Sequence, residues 1–347
     1  MLPLEWVNTG NMTYTRQWHT ASVLENGKIL VAGGTINGLL ILCTAELYDP
    51  STGTWTTTGN MTTYRFYHTT SLLTNGKVLV TGGGLDSFSL ISAELYDPST
   101  ETWAITGNMT TVRYSHTASV LPNGKVLAVG GVIQGAGCLI SAELYDSSTG
   151  TWTATNKMNV GRCHHTATIL ANGRVLVTGG NNDESIIKNF AELYDPLADS
   201  WTVTGSTNEP YTRYSHTASV LPNGKVLVAG GSTGSHPVNS AELYDPSTGT
   251  WTTTGNMTNA RYGHTAAVLT NGKVLVTGGS NDDYRTNLNS AELYDPSTGI
   301  WTTTDNMTDA RYGHRAAVLT SGEVLVAGGQ TAAFGLFLTS TELYKLL

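Results

Sequence analysis

Positive charge is scarce in this chain: 18 of its 347 residues are Lys or Arg against 26 Asp and Glu, a net charge of −8. A surface that neutralises phosphates has to be basic, so nucleic acid is not expected as a partner. Cysteine is scarcer still. Cys43, Cys138 and Cys163 are scattered without CxxC spacing and read as plain thiols, with no disulfide framework. No stretch approaches the roughly 18 apolar residues of a membrane span. The opening "MLPLEWVNTGNM" lacks a signal-peptide core. Glycine, by contrast, is plentiful at 39 residues, but it has no Gly-X-Y period, which excludes collagen. Abundant Thr, Ser, Asn and Gly with few Lys lean towards an extracellular protein.

What fills the chain instead is a repeat, which decides the fold before any single residue does. Its histidines are His19, His68, His116, His165, His216, His264 and His314, spaced by 49, 48, 49, 51, 48 and 50 residues. An Arg stands three residues before each: Arg16, Arg65, Arg113, Arg162, Arg213, Arg261 and Arg311. A double glycine follows each His, then "AELYD" ("TELYK" in the last copy), then in six copies a Trp six residues beyond the Asp. Within one copy "HTASVL" and "KVLVAG" are short and rich in β-branched residues. The Asn-Gly between them predicts a type I′ hairpin turn. "SAELYD" and "TWTTTG" supply two more strands around a "DPSTG" turn.

Each copy is therefore expected to be a four-stranded antiparallel meander that cannot cover both its faces alone. Seven packed around an axis make an all-β, seven-bladed β-propeller. The last copy stops after its third strand without a Trp, and "EWVNTGNM" near the start matches "TWTTTGNM" at 54–61. The N-terminal strand is thus expected to complete the C-terminal blade, pairing Trp6 beside Tyr344. One domain, 1–347, is expected, with blades at about 16–59, 65–107, 113–156, 162–205, 213–255, 261–305, and 311–347 plus 4–10.

His-x-Ala, Gly-Gly, Tyr-Asp and a Trp six residues on, at a period near 50 residues, resemble the kelch repeat over essentially the whole chain. The resemblance implies that the His-bearing strand is innermost. It also implies that the loops before the His and after the double glycine share one face, which commonly binds partners.

Residues present in every blade answer to the blade, so the seven Arg and seven His are assigned a structural ring. The seven Glu from Glu46 to Glu342 are expected to be at least partly buried, with Arg and His as partners, since a buried carboxylate must be paired. Functional candidates are sought where the blades differ. Before the His stand Trp18, Phe66, Tyr67, Tyr114, His164, Tyr214, Tyr262 and Tyr312. After the double glycine, loops 7, 1, 2 and 3 are apolar and contiguous in a closed ring, with a surplus at Leu39, Leu40, Phe88, Ile133, Phe334 and Phe337.

Catalytic patterns are missing. The chain has no phosphate loop and no GxSxG elbow. It lacks the iron-binding Glu-x3-Asp-x3-His pattern of kelch specifier proteins. No evident set matches the Tyr-Cys crosslink, second Tyr and two His of kelch-like copper radical oxidases. Asn182-Asp183-Glu184 and Asn281-Asp282-Asp283 have no full Ca²⁺ loop around them. "NMT", at Asn11, Asn60, Asn108, Asn256 and Asn306, is a glycosylation sequon that turn geometry explains better. No catalytic residue, cofactor or metal is assigned. The expected function is a non-catalytic scaffold that binds a protein partner or a second copy of itself through the loop face. The first alternative is a carbohydrate-binding propeller that stacks sugars on Trp18, Tyr67, Tyr114, Tyr214, Tyr262 and Tyr312. The second is a hydrolase or oxidase with a composite central site.

Overall fold

The structure, a computed structural model, describes residues 5–85, 88–181, 189–208, 212–234, 236–282, 286–331 and 336–345. Seven four-stranded antiparallel sheets follow one another along the chain. The first is Thr20–Val23, Ile29–Ala32, Ala45–Asp49 and Thr54–Thr57. The seventh orders Arg315–Val318, Val324–Ala327 and Thr341–Lys345 beside Glu5–Asn8. Each innermost strand touches the innermost strands of both neighbours, and the series closes from the seventh blade to the first. The His-bearing segments lead into these inner strands. No helix among the described residues is long and apolar enough to cross a membrane.

Closure comes from the two ends of the chain. Glu5–Asn8 pairs with the last strand, Trp6 opposite Tyr344 and Asn8 opposite Glu342. The Trp6 ring lies 5.1 Å from that of Tyr344, and its indole N–H donates to the Asp305 carbonyl at 2.9 Å. A half-buried ring forfeits about 2 kcal/mol on Trp6→Ala, below the 3–5 kcal/mol of a fully buried aromatic. The urea midpoint should fall accordingly, and an unchanged midpoint would mean this strand does not close the last blade.

The inner hairpin turn differs from the sequence expectation. A type I′ turn would place both Asn26 and Gly27 at positive φ, but only Gly27 is there, at +80°. The loop instead holds three residues: Gly27 N–H bonds the Leu24 carbonyl, and Leu24 N–H bonds the Lys28 carbonyl. This is a type I turn ending in a left-handed glycine. Asn26 contributes through its side chain, whose Oδ1 accepts the Lys28 N–H at 3.0 Å.

The apolar interior is not one core but seven slabs, each between adjacent blades. Ile29, Val31 and Tyr48 of the first blade pack on Leu319, Leu325 and Leu343 of the seventh, with Met12 between them. The equivalent slab between the fourth and fifth blades joins Leu170, Leu176 and Ala191 to Val226, Val228 and Tyr244. Met12, Met61, Met109, Met257 and Met307 are all buried, which gives the recurrent Asn-Met-Thr a packing reason.

Candidate functional site

The repeated charges are sequestered. In the third blade, Arg113 Nη2 donates to Glu143 Oε1 at 2.8 Å, and Nη1 donates to the carbonyls of Gly130 and Ser141. Glu143 also accepts the backbone N–H groups of Thr110 and Thr111 and the Thr110 hydroxyl. The same Arg–Glu pair recurs in every blade, at 2.7 Å for Arg16–Glu46 and up to 3.4 Å for Arg162–Glu192. Of the two repeated cationic residue types, Arg takes the carboxylate. The histidines, also named as candidate partners, turn elsewhere.

Each His instead serves the seam between blades. Nε2 of His68, His116, His165, His216, His264 and His314 is 2.9–3.1 Å from the hydroxyl of the Thr that follows the His of the preceding blade. Burial, reinforced by neighbouring Arg charges, pushes these imidazoles far below their usual range, to about 3 for His165, His216 and His264. The double glycine makes a second link. Gly83 N–H donates to the Arg113 carbonyl at 2.9 Å, and the series Gly34 to Gly329 runs round the whole ring. A Cβ on Gly82 would sit 2.9 Å from the His116 ring, so no side chain fits there.

Above the histidines lies a collar. The residue before each His, namely Trp18, Tyr67, Ser115, His164, Ser215, Gly263 and Gly313, has φ between +50° and +67°. Backbone N–H groups bond the carbonyl of the preceding blade along it: Trp18 to Gly313, Tyr67 to Trp18, Ser115 to Tyr67, His164 to Ser115, Ser215 to His164 and Gly263 to Ser215. Bulky residues rarely adopt this conformation, which costs about 1–3 kcal/mol each. The collar hydrogen bonds hold it in place.

The two residues before each His therefore point differently. Phe66, Tyr114, Tyr214, Tyr262 and Tyr312 sit at bridges to the strand after the double glycine, whereas Trp18, Tyr67 and His164 belong to the collar. Tyr262 and Tyr312 are only 5% and 7% exposed, so they lack the open faces that sugar stacking requires. The Trp18 and Tyr312 rings occupy the space beside Gly313 and Gly263, where a Cβ would strike them. Trp18 packs 4.6 Å from Tyr67 and edge-on, 5.0 Å, from Tyr312; Tyr67 meets His164 at 5.9 Å. Bulky groups crowd one side of the mouth and small ones the other.

The loops after the double glycine form small hairpins in the first three blades: Thr35–Ile36 with Leu40–Ile41, Gly84–Leu85 with Phe88–Ser89, and Val132–Ile133 with Gly137–Cys138. Leu39, Leu40 and Phe88 project at 81%, 57% and 72% exposure, while Ile133 and Phe337 are partly covered. Phe334, Asp183, Asp283 and the Glu209-Pro210-Tyr211 insertion lie outside the described residues.

Two features went unnoticed in the sequence. Cys138 and Cys163, expected as plain thiols, form a disulfide with Cα atoms 5.4 Å apart, tying the third blade's hairpin to the fourth blade's collar segment. The second is Arg315, which follows His314 where the other six blades have Thr. That departure was visible as "HRAA" against "HTAA".

The sequence matches the family described as "KLHDC2/KLHL20/DRC7 Kelch-repeats domain" over residues 116–329. It matches "Kelch motif" over residues 17–62 and 65–110. The chain belongs to the kelch-repeat family. No curated protein matches it. Among solved structures it is similar to a "novel fungal alcohol oxidase with catalytic diversity among the AA5 family, in complex with copper". That likeness has 20% identity and a TM-score of 0.78, and covers 99% of this chain and 76% of the other. At that identity it shows a shared fold. Among the described residues no three His, Cys, Asp or Glu converge on a point that could hold a metal ion. The axial histidines are spread round a ring, six of them engaged by Thr. These residues do not fit a copper centre.

Proposed function

We propose that this propeller is a protein-binding scaffold without catalysis of its own, and that it docks a protein partner or a second copy of itself through the apolar loops of blades 7, 1, 2 and 3. The observation that carries the reading is the exposure of Leu39, Leu40 and Phe88 on the hairpins of two adjacent blades. Leu336, 78% exposed, extends the patch to the seventh blade. Clustered large apolar side chains facing water mark docking surfaces. The kelch family, whose propellers bind proteins, supports the same reading. The Gln134 N–H bonds the Ser89 hydroxyl at 3.0 Å, so neighbouring hairpins brace one another. Tyr114 O–H adds a bond to Gln134 Oε1 at 3.2 Å. A braced surface loses little conformational freedom on binding.

The test is sedimentation velocity over a wide concentration range, joined to partner capture, on the wild type and on L39S/L40S/F88S. The triple variant should keep its melting temperature, since these groups gain little from burial in the free chain. It should lose concentration-dependent association, or lose the specific partner, by at least tenfold. A wild type that stays monomeric and captures no protein that the variant fails to capture would overturn the proposal. For the sugar-binding alternative, Tyr262 and Tyr312 offer no open face, while Trp18, Tyr67, Tyr114 and Tyr214 are half-buried.

A further inference from the structure

The seam between the seventh blade and the first is unlike the other six. There the Thr that would meet His19 is replaced by Arg315, and both ring nitrogens of His19 are buried without a hydrogen-bond partner. A link made at every other seam has been given up. A local rule broken without compensation inside the fold points to a function at that place.

Arg315 is also unlike the other arginines of the repeat. Each of those meets a Glu, whereas the hydrogen bond that Arg315 makes among the described residues runs from Nη1 to its neighbour's carbonyl, His314 O, at 3.0 Å. Its side chain lines two cavities of the central channel among the described residues. The upper, about 230 Å³, is bounded by the collar and the His ring; the lower, about 360 Å³, by the inner strands, including Ala21, Thr70 and Ala118. Desolvation by the channel walls disfavours its charge. A guanidinium does not deprotonate in a protein, so this cation stays charged. Arg315 is half-buried and faces the channel, and among the described residues no carboxylate forms an ion pair with it.

We propose that the axial channel is a binding site for a small monocarboxylate, held by Arg315 and covered by the aromatic side of the collar. One cation calls for one negative charge. The surrounding imidazoles are neutral and add none, which disfavours phosphate and other multiply charged anions. The planar guanidinium fork matches a carboxylate bidentately. Trp18 and Tyr67 line the upper cavity and offer ring surface to a carbon body, with Thr69 and Ser115 hydroxyls beside them. The site is separate from the hairpin surface above and does not depend on it.

Benzoate is the probe, titrated at constant ionic strength against chloride and followed by Trp fluorescence and by melting temperature. A ligand that binds only the folded chain raises the melting temperature with concentration. Wild-type protein should show saturable benzoate binding that chloride does not mimic. R315T reinstates the Thr of the other six blades and can bond His19. It should melt no lower than wild type in the absence of benzoate, yet bind benzoate at least tenfold more weakly. R315Q, which keeps the side-chain length without the charge, should lose binding to the same extent, and L39S/L40S/F88S should keep it. Unchanged benzoate binding in R315T and R315Q, or equal protection of the wild type by chloride, would overturn the proposal.

Discussion

Arg113→Met should lower the unfolding free energy by about 3–5 kcal/mol, the loss seen when one partner of a buried ion pair is removed. The cost comes from what is left behind. Glu143 is fully enclosed, and without Arg113 it keeps the bonds from Thr110 and Thr111 but loses its counter-ion. The Gly130 carbonyl loses its donor as well, and the Ser141 carbonyl keeps only the Gly130 N–H. Replacing both partners by apolar groups is often harmless for a simple buried pair. Here R113M/E143M should recover only part of the loss, because the backbone groups both side chains serve stay unsatisfied, at about 1–3 kcal/mol for each buried orphan. Guanidinium unfolding of the two single variants and the double variant separates these terms. A single-variant loss under about 1 kcal/mol, against that expected range, would mean the pair is peripheral to stability.

Acid should unfold this propeller through its buried histidines. His165, His216 and His264 have folded-state pKa values of about 3, and His19, His68, His116 and His314 also lie well below the ordinary 6.5. Between 6.5 and the folded values the unfolded chain binds more protons, so stability is full above 6.5 and declines as pH falls through that window. Each histidine contributes about 1.4 kcal/mol per pH unit at the steepest, and seven together approach roughly 10 kcal/mol per unit. Against a typical total of about 5–15 kcal/mol, cooperative structure should be lost between about pH 6 and pH 5. The half-buried Asp97, Asp146, Asp245 and Asp295 have values held near 2, mainly by Ser hydroxyls. Their contribution is complete above the ordinary carboxylate range and disappears only as pH falls towards 2. Urea midpoints from pH 7.5 to 5 test the assignment. His165→Gln should flatten the slope by one histidine's share, and a midpoint constant down to pH 4.5 would exclude the mechanism.

The sequence carried most of the fold because every blade restates it. Four strand signals per copy, and the match of 5–12 to the missing fourth strand, were enough to place Trp6 opposite Tyr344. What periodicity could not supply was the division of labour among repeated polar residues. Arg and His recur at the same spacing, yet only coordinates show Glu143 taking Arg113 while His116 crosses a seam to Thr69. The hairpin type was misread because Asn-Gly serves a two-residue and a three-residue turn alike, and the choice depends on whether Asn26 or only Gly27 takes positive φ. The Cys138–Cys163 bridge had no local signature, since its partners meet through the packing of two blades. Tyr262 and Tyr312 looked like open surfaces because glycine at 263 and 313 carried no hint that a neighbouring ring fills its place. Arg315 was legible as a single broken letter in an otherwise faithful repeat.

Pairing the first strand with the last has a consequence for how the chain is made. Translation at about 5–20 residues per second leaves Glu5–Asn8 without its mate for on the order of tens of seconds, until Thr341–Lys345 leaves the ribosome. Six blades can assemble during that wait, but the circle stays an open arc with a bare sheet edge at its growing end. Once Thr341–Lys345 emerges, its free edge accepts Glu5–Asn8 either from its own chain or from a nascent copy on a neighbouring ribosome. Polysomes are therefore where two molecules of this protein have the best opportunity to exchange their opening strands.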